Sequence, residues 1–370
     1  MKFSCEKALL QNAISIASRA VAPKSSIPAL EGILVEAGDM LRLTGYNLET
    51  GIRTLVDAEI EEGGWLVLSS RLFGDIVRKL PDDVVYFRSE GHTVHITCGM
   101  SEFHIQAVEE DFYPELPEVE ENADHFALPR NLLSSMIRET VFACSTNESR
   151  MIHNGCLFEV EGDVLTVVGV DGYRLGIRRE TLTEKTGEDF SFVIHRVPLA
   201  EVEKIAGESE EPVTISQGMM HVLFEMGNTM VVSRRLEGNF LDYKKAVPRK
   251  NPIVVEGDTK ELLASIERVS LIISDRLKSP LRCSFLDGML HLTTKTAIGN
   301  ANDQCPIVGD GGGLEIGFNN RYIMDALKNA PAERVKIELS SDVTPCIIVP
   351  AEGEEHFVFM VLPVRLRGEG

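Results

Sequence analysis

Several features that would narrow the function are missing from this sequence of 370 residues. No CxxC spacing occurs among the seven cysteines, so neither a zinc knuckle nor a disulfide framework is expected, and reduced thiols are the default. No apolar run approaches the roughly 18 residues that a membrane-spanning helix requires. The first residues also lack the pattern of a secretion signal. We therefore expect a cytoplasmic protein that has no membrane segment.

Motifs of catalysis and of cofactor binding are equally scarce. No HExxH, Walker or nucleophile–base pattern appears. The glycine-rich residues 309–313 lack a following Gly-Lys-Ser/Thr and lead into a strand-like run, which predicts a loop rather than a phosphate cradle. His92 and His95 lie three residues apart in a strand-like segment and so would point to opposite faces, which favours surface histidines over metal ligands. The sequence predicts no catalytic residues, no metal and no cofactor.

Positive charge is in short supply as well, since the formal net charge is −20. A chain this acidic is not expected to bind nucleic acid over its whole surface. The average leaves open how the charge is distributed along the chain.

Three arginines recur at one interval. Arg71, Arg196 and Arg321 are spaced 125 residues apart, and each follows an apolar, strand-like run. An apolar residue comes six positions after each arginine, namely Val77, Val202 and Leu327. Agreement of residue type, offset and context over two periods predicts three copies of one unit.

Further anchors extend the repeat. Phe3 and Phe126 are each followed by two leucines at offsets six and seven, and the third copy fits with about one residue of slip. Short turns rich in Gly and Asp, at residues 36–39, 161–163 and 286–288, predict a β-hairpin in each copy. Helical spacing of apolar residues predicts one helix through Leu10 and Val21 and another through Ile323 and Ala330. Each unit thus reads strand, helix, strands, helix, strands, which is an α+β fold with domains at 1–124, 125–250 and 251–370.

The predicted helices carry the positive charge of the chain. Their formal charge adds to +6, which leaves −26 for all other residues. The spans counted are 6–24, 71–80, 130–141, 195–206, 258–278 and 319–330. Charge alone does not distinguish a solvated face from a binding face. Six equivalent helices with a combined positive charge indicate the lining of a surface that attracts a polyanion.

Local sequences throughout the chain resemble one protein family. They are MKF at 1–3, IPAL at 27–30, NG at 154–155, DGYRL at 171–175, Phe240 with DY at 242–243, EIGFN at 315–319 and LPVRL at 362–366. In this order they are similar to the bacterial DNA polymerase III beta subunit, the beta sliding clamp. The resemblance implies three DNA-clamp domains per chain and a head-to-tail homodimer that forms a six-domain ring around duplex DNA. It also implies a non-catalytic processivity factor for DNA replication.

The resemblance further implies three sets of site residues. The DNA-binding positions are Lys24, Arg71, Asn147, Arg150 and Arg196. The peptide-binding pocket consists of Gly172, Tyr173, Arg174, Leu175, Leu241, Lys245, Ala246, Asn319, Tyr322, Val343, Met360, Leu362, Pro363, Val364, Arg365 and Leu366. The dimer interface would set Phe103 and Ile105 against Ile272 and Ile273 of the second chain. The implied partners of the pocket are the polymerase III alpha subunit, the clamp loader, other polymerases and repair proteins, each through a short hydrophobic peptide.

A proline and an arginine also fit poorly in the interior of a sheet, so Pro363 and Arg365 favour an exposed rim over a central strand. Residues 151–153 depart from the pattern of the family at the rim. Lys245 and Ala246 stand where an arginine and a larger aliphatic residue are frequent, which predicts a different peptide preference because lysine has no planar bidentate fork. Residues 367–370 extend past its usual end. A specialised or duplicate clamp, such as an inhibitor-resistance variant acting as a peptide-binding scaffold, remains the alternative hypothesis.

Overall fold

The computed structural model describes residues 1–109, 112–185, 187–274, 279–353 and 356–366. Its helices are α1 (Lys7–Ala17), α2 (Ser70–Lys79), α3 (Arg130–Val141), α4 (Arg196–Ala206), α5 (Tyr243–Ala246), α6 (Thr259–Ser270) and α7 (Asn320–Lys328). The first fourteen strands are β1 (Lys2–Glu6), β2 (Gly32–Ala37), β3 (Leu41–Tyr46), β4 (Thr50–Val56), β5 (Glu59–Glu62), β6 (Gly64–Ser69), β7 (Val84–Glu90), β8 (Thr93–Cys98), β9 (Ser101–Gln106), β10 (Asp124–Pro129), β11 (Gly155–Glu161), β12 (Val164–Val170), β13 (Arg174–Thr181) and β14 (Glu184–Lys185). The remaining strands are β15 (Phe190–His195), β16 (Pro212–Gln217), β17 (His221–Met226), β18 (Thr229–Arg234), β19 (Ile253–Asp258), β20 (Leu281–Leu286), β21 (Met289–Thr296), β22 (Gly299–Pro306), β23 (Glu315–Phe318), β24 (Arg334–Leu339), β25 (Cys346–Pro350) and β26 (Phe357–Val361).

The order of elements repeats three times, as the sequence predicts. Each copy has one strand, a first helix, a group of strands, a second helix and three closing strands. The recurring arginines lie within the first two residues of α2, α4 and α7. The apolar residues six positions later, Val77, Val202 and Leu327, are all buried. The predicted hairpins are also present, at β2–β3, β11–β12 and β20–β21.

Two of the predicted helices end earlier than their apolar spacing indicates. The first helix stops at Ala17 and passes into a 3-10 turn, so Val21 lies outside it. The Ser18 hydroxyl donates to the carbonyl of Ile14 at 2.6 Å, a local bond that competes with the regular helical pattern. In copy three, α7 ends at Lys328, and Ala330 follows it. Pro331 comes next in the sequence and disfavours a helical conformation for the residue before it.

The predicted third-copy helix over 258–278 is likewise shorter, because α6 spans Thr259–Ser270. Its last four predicted residues, 275–278, lie outside the described residues. None of the helices in the described part of the chain is long and apolar enough to cross a membrane. The glycine-rich residues 309–313 form a loop that leads into β23, as the sequence predicts.

The first compact unit contains Met1–Ser134, Thr183–Glu188 and Glu201–Arg235. It holds a five-stranded sheet in the order β5-β1-β7-β8-β9 and a nine-stranded sheet in the order β14-β10-β16-β17-β18-β4-β3-β2-β6. The nine-stranded sheet joins strands of copies one and two through the antiparallel pair β4 and β18. Phe3, Leu10, Phe73 and Phe87 belong to a core formed by α1, α2, the five-stranded sheet and strands β2, β3 and β6 of the nine-stranded sheet.

The second compact unit contains Ser135–Leu182, Asp189–Ala200 and Leu236–Gly370. It holds an eight-stranded sheet in the order β15-β11-β12-β13-β26-β25-β24-β19 and a four-stranded sheet in the order β22-β21-β20-β23. The eight-stranded sheet joins copies two and three through the antiparallel pair β13 and β26. Copy two therefore contributes strands to both units, a division that the repeat alone does not predict.

Candidate peptide-binding groove and nucleic-acid contacts

The chain after β26 forms the rim of a groove in the second compact unit. The strand ends at Val361, in agreement with the expectation that Pro363 would not continue a central strand. Beyond it, the Leu362 amide donates to the carbonyl of Tyr173 and the Val364 amide to that of Gly317, both at 2.8 Å. These two bonds fix residues 362–364 between the start of β13 and the end of β23.

Arg174 occupies the centre of this region. Its guanidinium lies 4.7 Å from the ring centroid of Tyr322, and its Nε donates to the Asp171 carboxylate at 2.9 Å. A second ion pair joins it to Asp325 on α7. The rings of Tyr173 and Tyr322 are stacked with centroids 6.0 Å apart. A cation, two aromatic faces and two carboxylates are thereby held in one rigid arrangement.

A cavity of about 450 Å³ lies beside Tyr322 and Val364. Its wall includes Phe318 at the end of β23, Asn319 just before α7, and Ile273 from the loop after α6. Burial raises the pKa of the Tyr322 hydroxyl above its usual value. The hydroxyl is protonated at neutral pH and is available as a hydrogen-bond donor.

The predicted pocket residues fall into three groups. Leu175 and Met360 are buried in an apolar cluster on one face of the eight-stranded sheet, with Ala246 packed against that cluster. These three residues do not line the cavity beside Tyr322 and Val364. The exposed members are Gly172, Tyr173, Leu241, Lys245, Val343, Val364 and Arg365, and those of intermediate burial are Arg174, Ala246, Asn319, Tyr322, Leu362, Pro363 and Leu366.

Lys245 is exposed, and its ammonium pairs with Asp242 at 2.6 Å. This contact raises the pKa of the lysine. Next to it, the buried Tyr243 donates its hydroxyl to Glu159 at 2.5 Å. The unusual Met151–His153 segment also contributes to packing, because Ile152 contacts the same apolar cluster and the His153 ring packs edge-on against Phe240.

Three residues of this region were not predicted from the sequence. Asp171 and Asp325 orient Arg174, and Gly317 allows the closing chain to approach. A Cβ on Gly317 would lie 2.5 Å from the Val364 carbonyl oxygen and 2.7 Å from Leu366 Cδ2. Asp171 begins the motif DGYRL, so it could have been found there. Gly317 likewise lies in the motif EIGFN. Asp325 carries no such signal, because its role depends on a contact with a distant segment.

The residues proposed for DNA contact occupy corresponding positions in copies one and two. Lys24 is exposed on the loop after α1, and Asn147 and Arg150 are exposed on the loop after α3. Arg71 stands near the start of α2 with a side chain 94% exposed. Arg196 begins α4 but is only half exposed, and its Nε is buried with no hydrogen-bond partner among the residues that the structure describes.

Asn147 also has a structural role. Its side chain accepts a hydrogen bond from the Ser149 amide at 3.0 Å and so caps the 3-10 turn that follows. This bond holds the loop that carries Arg150 in shape.

Several basic helix residues are already paired with carboxylates. Arg19 and Lys204 both contact Glu201, at 2.6 and 2.8 Å, and Lys328 contacts Glu267 at 2.9 Å. The six longer helices keep a formal charge of +5 as they are observed, against −25 for the rest. The basic excess predicted from the sequence is present, but part of it is neutralised locally.

Phe103 and Ile105, predicted at the dimer interface, lie on β9 and pack half-buried against the core of the first unit. Ile272 and Ile273 are half-buried after α6. None of these four residues stands free in solvent.

Tandem copies of one α+β unit, basic helices and a groove at the C-terminal chain define a clamp-type scaffold rather than a catalytic site. Comparison with known proteins agrees. Family models of the N-terminal, central and C-terminal domains of the DNA polymerase III beta subunit match residues 1–117, 127–242 and 244–365.

Known relatives extend the match over whole chains. The beta sliding clamps of Staphylococcus aureus (strain Mu50) and Bacillus subtilis (strain 168) are 32% and 30% identical to this chain over 99% of its length, and the match covers 99% and 100% of theirs. The crystal structure of a putative DNA polymerase III beta subunit from Eubacterium rectale has a TM-score of 0.92 at 32% identity, with 99% of this chain and 100% of that chain covered. A sliding clamp from Pseudomonas aeruginosa bound to griselimycin has a TM-score of 0.93 at 25% identity and the same coverage. The chain therefore belongs to the DNA polymerase III beta subunit family, the sliding clamps that tether a polymerase to DNA and do not themselves catalyse a reaction.

Proposed function

We propose that two copies of this chain close head to tail into a six-domain ring that encircles duplex DNA and holds the replicative polymerase on it. The protein then acts in the cytoplasm, where the polymerase and its template are. Its domains are residues 1–124, 125–250 and 251–370. A ring retains DNA by topology, so its individual contacts with phosphates can be weak and independent of sequence.

The pairing of strands at the joints between copies carries this proposal. The last strand of copy two, β18, pairs with β4 of copy one, and the last strand of copy three, β26, pairs with β13 of copy two. Two strands at corresponding positions lack such a partner in the described residues. They are β9, which is the last strand of copy one, and β22, which is the third strand after α6. Pairing β9 of one chain with β22 of another repeats the same joint twice more and leaves neither of these edges open.

The side chains at these two edges suit such a joint. Phe103 and Ile105 on β9, like Ala301 on β22, face the helix-covered side of their sheets. Apposition of the two edges would bury these residues further, and Ile272 and Ile273 lie after the helix that packs against β22. A joint of this kind combines backbone hydrogen bonds with an apolar seam.

Five residues would contact the DNA backbone inside the ring: Lys24, Arg71, Asn147, Arg150 and Arg196. Arg71, Lys24 and Arg150 are exposed cations that can meet phosphates. Asn147 contributes by capping the loop that presents Arg150. The acidic remainder of the chain repels DNA from other surfaces.

The groove around Tyr173, Arg174 and Tyr322 would receive a short hydrophobic peptide from the polymerase III alpha subunit, the clamp loader, other polymerases or repair proteins. An apolar floor with a few fixed polar groups is the chemistry that such a peptide needs. In support, the related Pseudomonas aeruginosa clamp binds griselimycin.

The topological account is tested by retention on DNA. Clamp loaded onto a nicked circular plasmid should stay bound through gel filtration, and cutting the plasmid once should release it. Blocking both ends of the cut DNA with bound protein should restore retention. Equal loss from circular and linear DNA would contradict the ring.

The peptide groove is tested separately with Leu362→Ala combined with Leu366→Ala. These two changes remove apolar contacts at the rim and should abolish binding of a fluorescent clamp-binding peptide from the alpha subunit, with the dimer intact. Leu286→Ala, at an exposed leucine on β20, is the matched control. Unchanged peptide affinity in the double variant would overturn the assignment of the groove.

A further inference from the structure

Three side chains with metal-ligand chemistry come together on the β8–β9 hairpin of the first compact unit. The ligand atoms of His95, Glu102 and His104 all lie within 4.8 Å of one another. His92 is the histidine nearest to His95 in the sequence, but it lies in the turn before β8. The partners of His95 come instead from the neighbouring strand.

Strand register explains why these residues converge. His95 is directly opposite His104 in the antiparallel pair. The Ala107 amide donates to the His92 carbonyl at 2.8 Å, and because hydrogen-bonded pairs alternate, His95 and His104 form a non-hydrogen-bonded pair. Side chains in such pairs are closest, and the two rings have centroids 4.4 Å apart. Glu102 lies two residues before His104 and so shares its face.

The opposite face of the hairpin holds this arrangement in place. Val94 and Ile96 on β8 are fully buried, and Phe103 and Ile105 on β9 pack against the same core. A one-residue slip would expose all four apolar side chains, so the register is strongly specified. The three polar side chains therefore stand on a rigid platform.

Their chemistry fits a divalent transition metal. Two imidazoles and one carboxylate are ligands that Zn²⁺ prefers, with bonds of about 2.0–2.2 Å and hence ligand atoms about 3.3–3.6 Å apart in a tetrahedron. Glu102 Oε1 and His104 Nε2 are already 3.0 Å apart. Glu102 and His104 are exposed and His95 is half-buried, so small side-chain rotations would bring all three atoms to that spacing.

The neighbouring charges allow a cation here. Arg88 on β7 is opposite His95, but its guanidinium is paired with Glu90. Thr97 and Gln106 flank the cluster on the same face, and both are neutral. Lys2, opposite Arg88 on β1, is likewise paired with Glu61, so both of these positive charges are compensated.

We propose that His95, Glu102 and His104 form a surface site for one Zn²⁺ ion per chain, with a fourth position open to water. The side chains project from the face of the sheet, whereas strand addition at β9 uses its backbone edge, so the site does not depend on ring closure. A metal bound there links the two strands of the hairpin and stabilises the edge strand β9.

Calorimetric titration of the untagged full-length protein with zinc chloride tests the site. The native chain should bind one equivalent with micromolar affinity. His95→Ala and His104→Ala should each weaken binding by at least about tenfold, since even changes to outer-shell groups around a metal cost 10–100-fold. His92→Ala, which removes an exposed histidine three residues from His95, should leave the affinity unchanged. Cobalt substituted for zinc should give the intense visible absorption of a four-coordinate site.

Three outcomes would overturn the proposal. The first is the absence of saturable binding to the native chain at micromolar zinc. The second is an unchanged affinity in His95→Ala and His104→Ala, or an equal loss in His92→Ala. The third is one zinc per two chains that is lost together with the dimer, because it would indicate a bridge between chains. The circular dichroism melt of each variant verifies that it is folded.

Discussion

Glu139 on α3 is a carboxylate with almost no exposure to solvent, and Arg178 on β13 lies beside it. Their nearest atoms are 3.0 Å apart but are poorly aligned for a hydrogen bond. Burial raises the pKa of Glu139 to about 7, although the charge of Arg178 opposes the shift. The folded state therefore holds this proton at pH values where the unfolded chain has released it.

The pH dependence of stability follows from this shift. Between the ordinary value of 4.5 and about 7, the folded state binds more protons than the unfolded state, so the contribution of Glu139 to the free energy of unfolding falls as pH rises. Glu139→Gln cannot ionise and should remove this component, which we expect to be about 1–3 kcal/mol. Urea unfolding of both proteins from about pH 5 to about pH 8 measures the difference. An equal slope of the unfolding free energy against pH in both proteins would contradict the shift. Glu225→Gln, at an exposed residue of β17, is the control.

Arg174 gives a second prediction at the scale of a residue. Its planar guanidinium faces Tyr322 at 4.7 Å while it pairs with Asp171, and lysine cannot reproduce both contacts. We expect Arg174→Lys to weaken binding of an alpha-subunit peptide about five- to tenfold, from the loss of one cation–π contact. Fluorescence anisotropy measures the affinity. Arg282→Lys, at an arginine paired with Glu315 on the four-stranded sheet, should have no effect.

At the scale of elements, close contacts between helix and strand depend on two glycines. A Cβ on Gly45 of β3 would lie 2.0 Å from the carbonyl oxygen of Ala17 on α1, and a Cβ on Gly169 of β12 would lie 2.1 Å from that of Thr140 on α3. These are equivalent places in copies one and two. The helix backbone thus packs directly on the strand at both.

Gly169→Ala should therefore destabilise the protein. The added methyl group meets backbone atoms, which cannot rotate away, so we expect a loss of about 1–3 kcal/mol in the free energy of unfolding. Gly38→Ala is the matched control, because a Cβ there would meet nothing within 4 Å. Denaturant unfolding of the two variants should separate them, and equal midpoints would show that the helix can move aside.

The sequence predicts the elements better than their contacts. Periodicity finds the repeated helices and hairpins, because burial of one face fixes the spacing of residues such as Leu10 and Ile14. It does not predict that copy two divides between two compact units, because sheet pairing such as β13 with β26 joins residues far apart in the chain. For the same reason, resemblance identifies Arg174 and Tyr322 but not Asp325. Likewise, spacing in the sequence suggests His92 as the neighbour of His95, whereas strand register places His104 opposite His95.

At the scale of the whole molecule, the proposed ring depends on an unpaired backbone edge. The Ile307 amide donates to the Gly288 carbonyl at 2.9 Å. Hydrogen-bonded pairs along β21 and β22 alternate from there, so the amide of Asn302, opposite Thr293, points away from β21. No strand pairs with that side of β22 in the described part of the chain. The proposed joint would place β9 of the second chain there.

Asn302→Pro removes this outward N–H group and should disrupt the joint without loss of a hydrogen bond inside the four-stranded sheet. We expect sedimentation equilibrium to give the mass of a single chain for Asn302→Pro and twice that mass for the native protein. Asn302→Ala keeps the N–H group and should remain dimeric, which separates the backbone bond from the side chain. If Asn302→Pro stays fully dimeric and folded, the two chains do not meet through this edge of β22. Retention on a nicked plasmid should fail in the same variant that fails to dimerise, because only a closed ring retains DNA by topology.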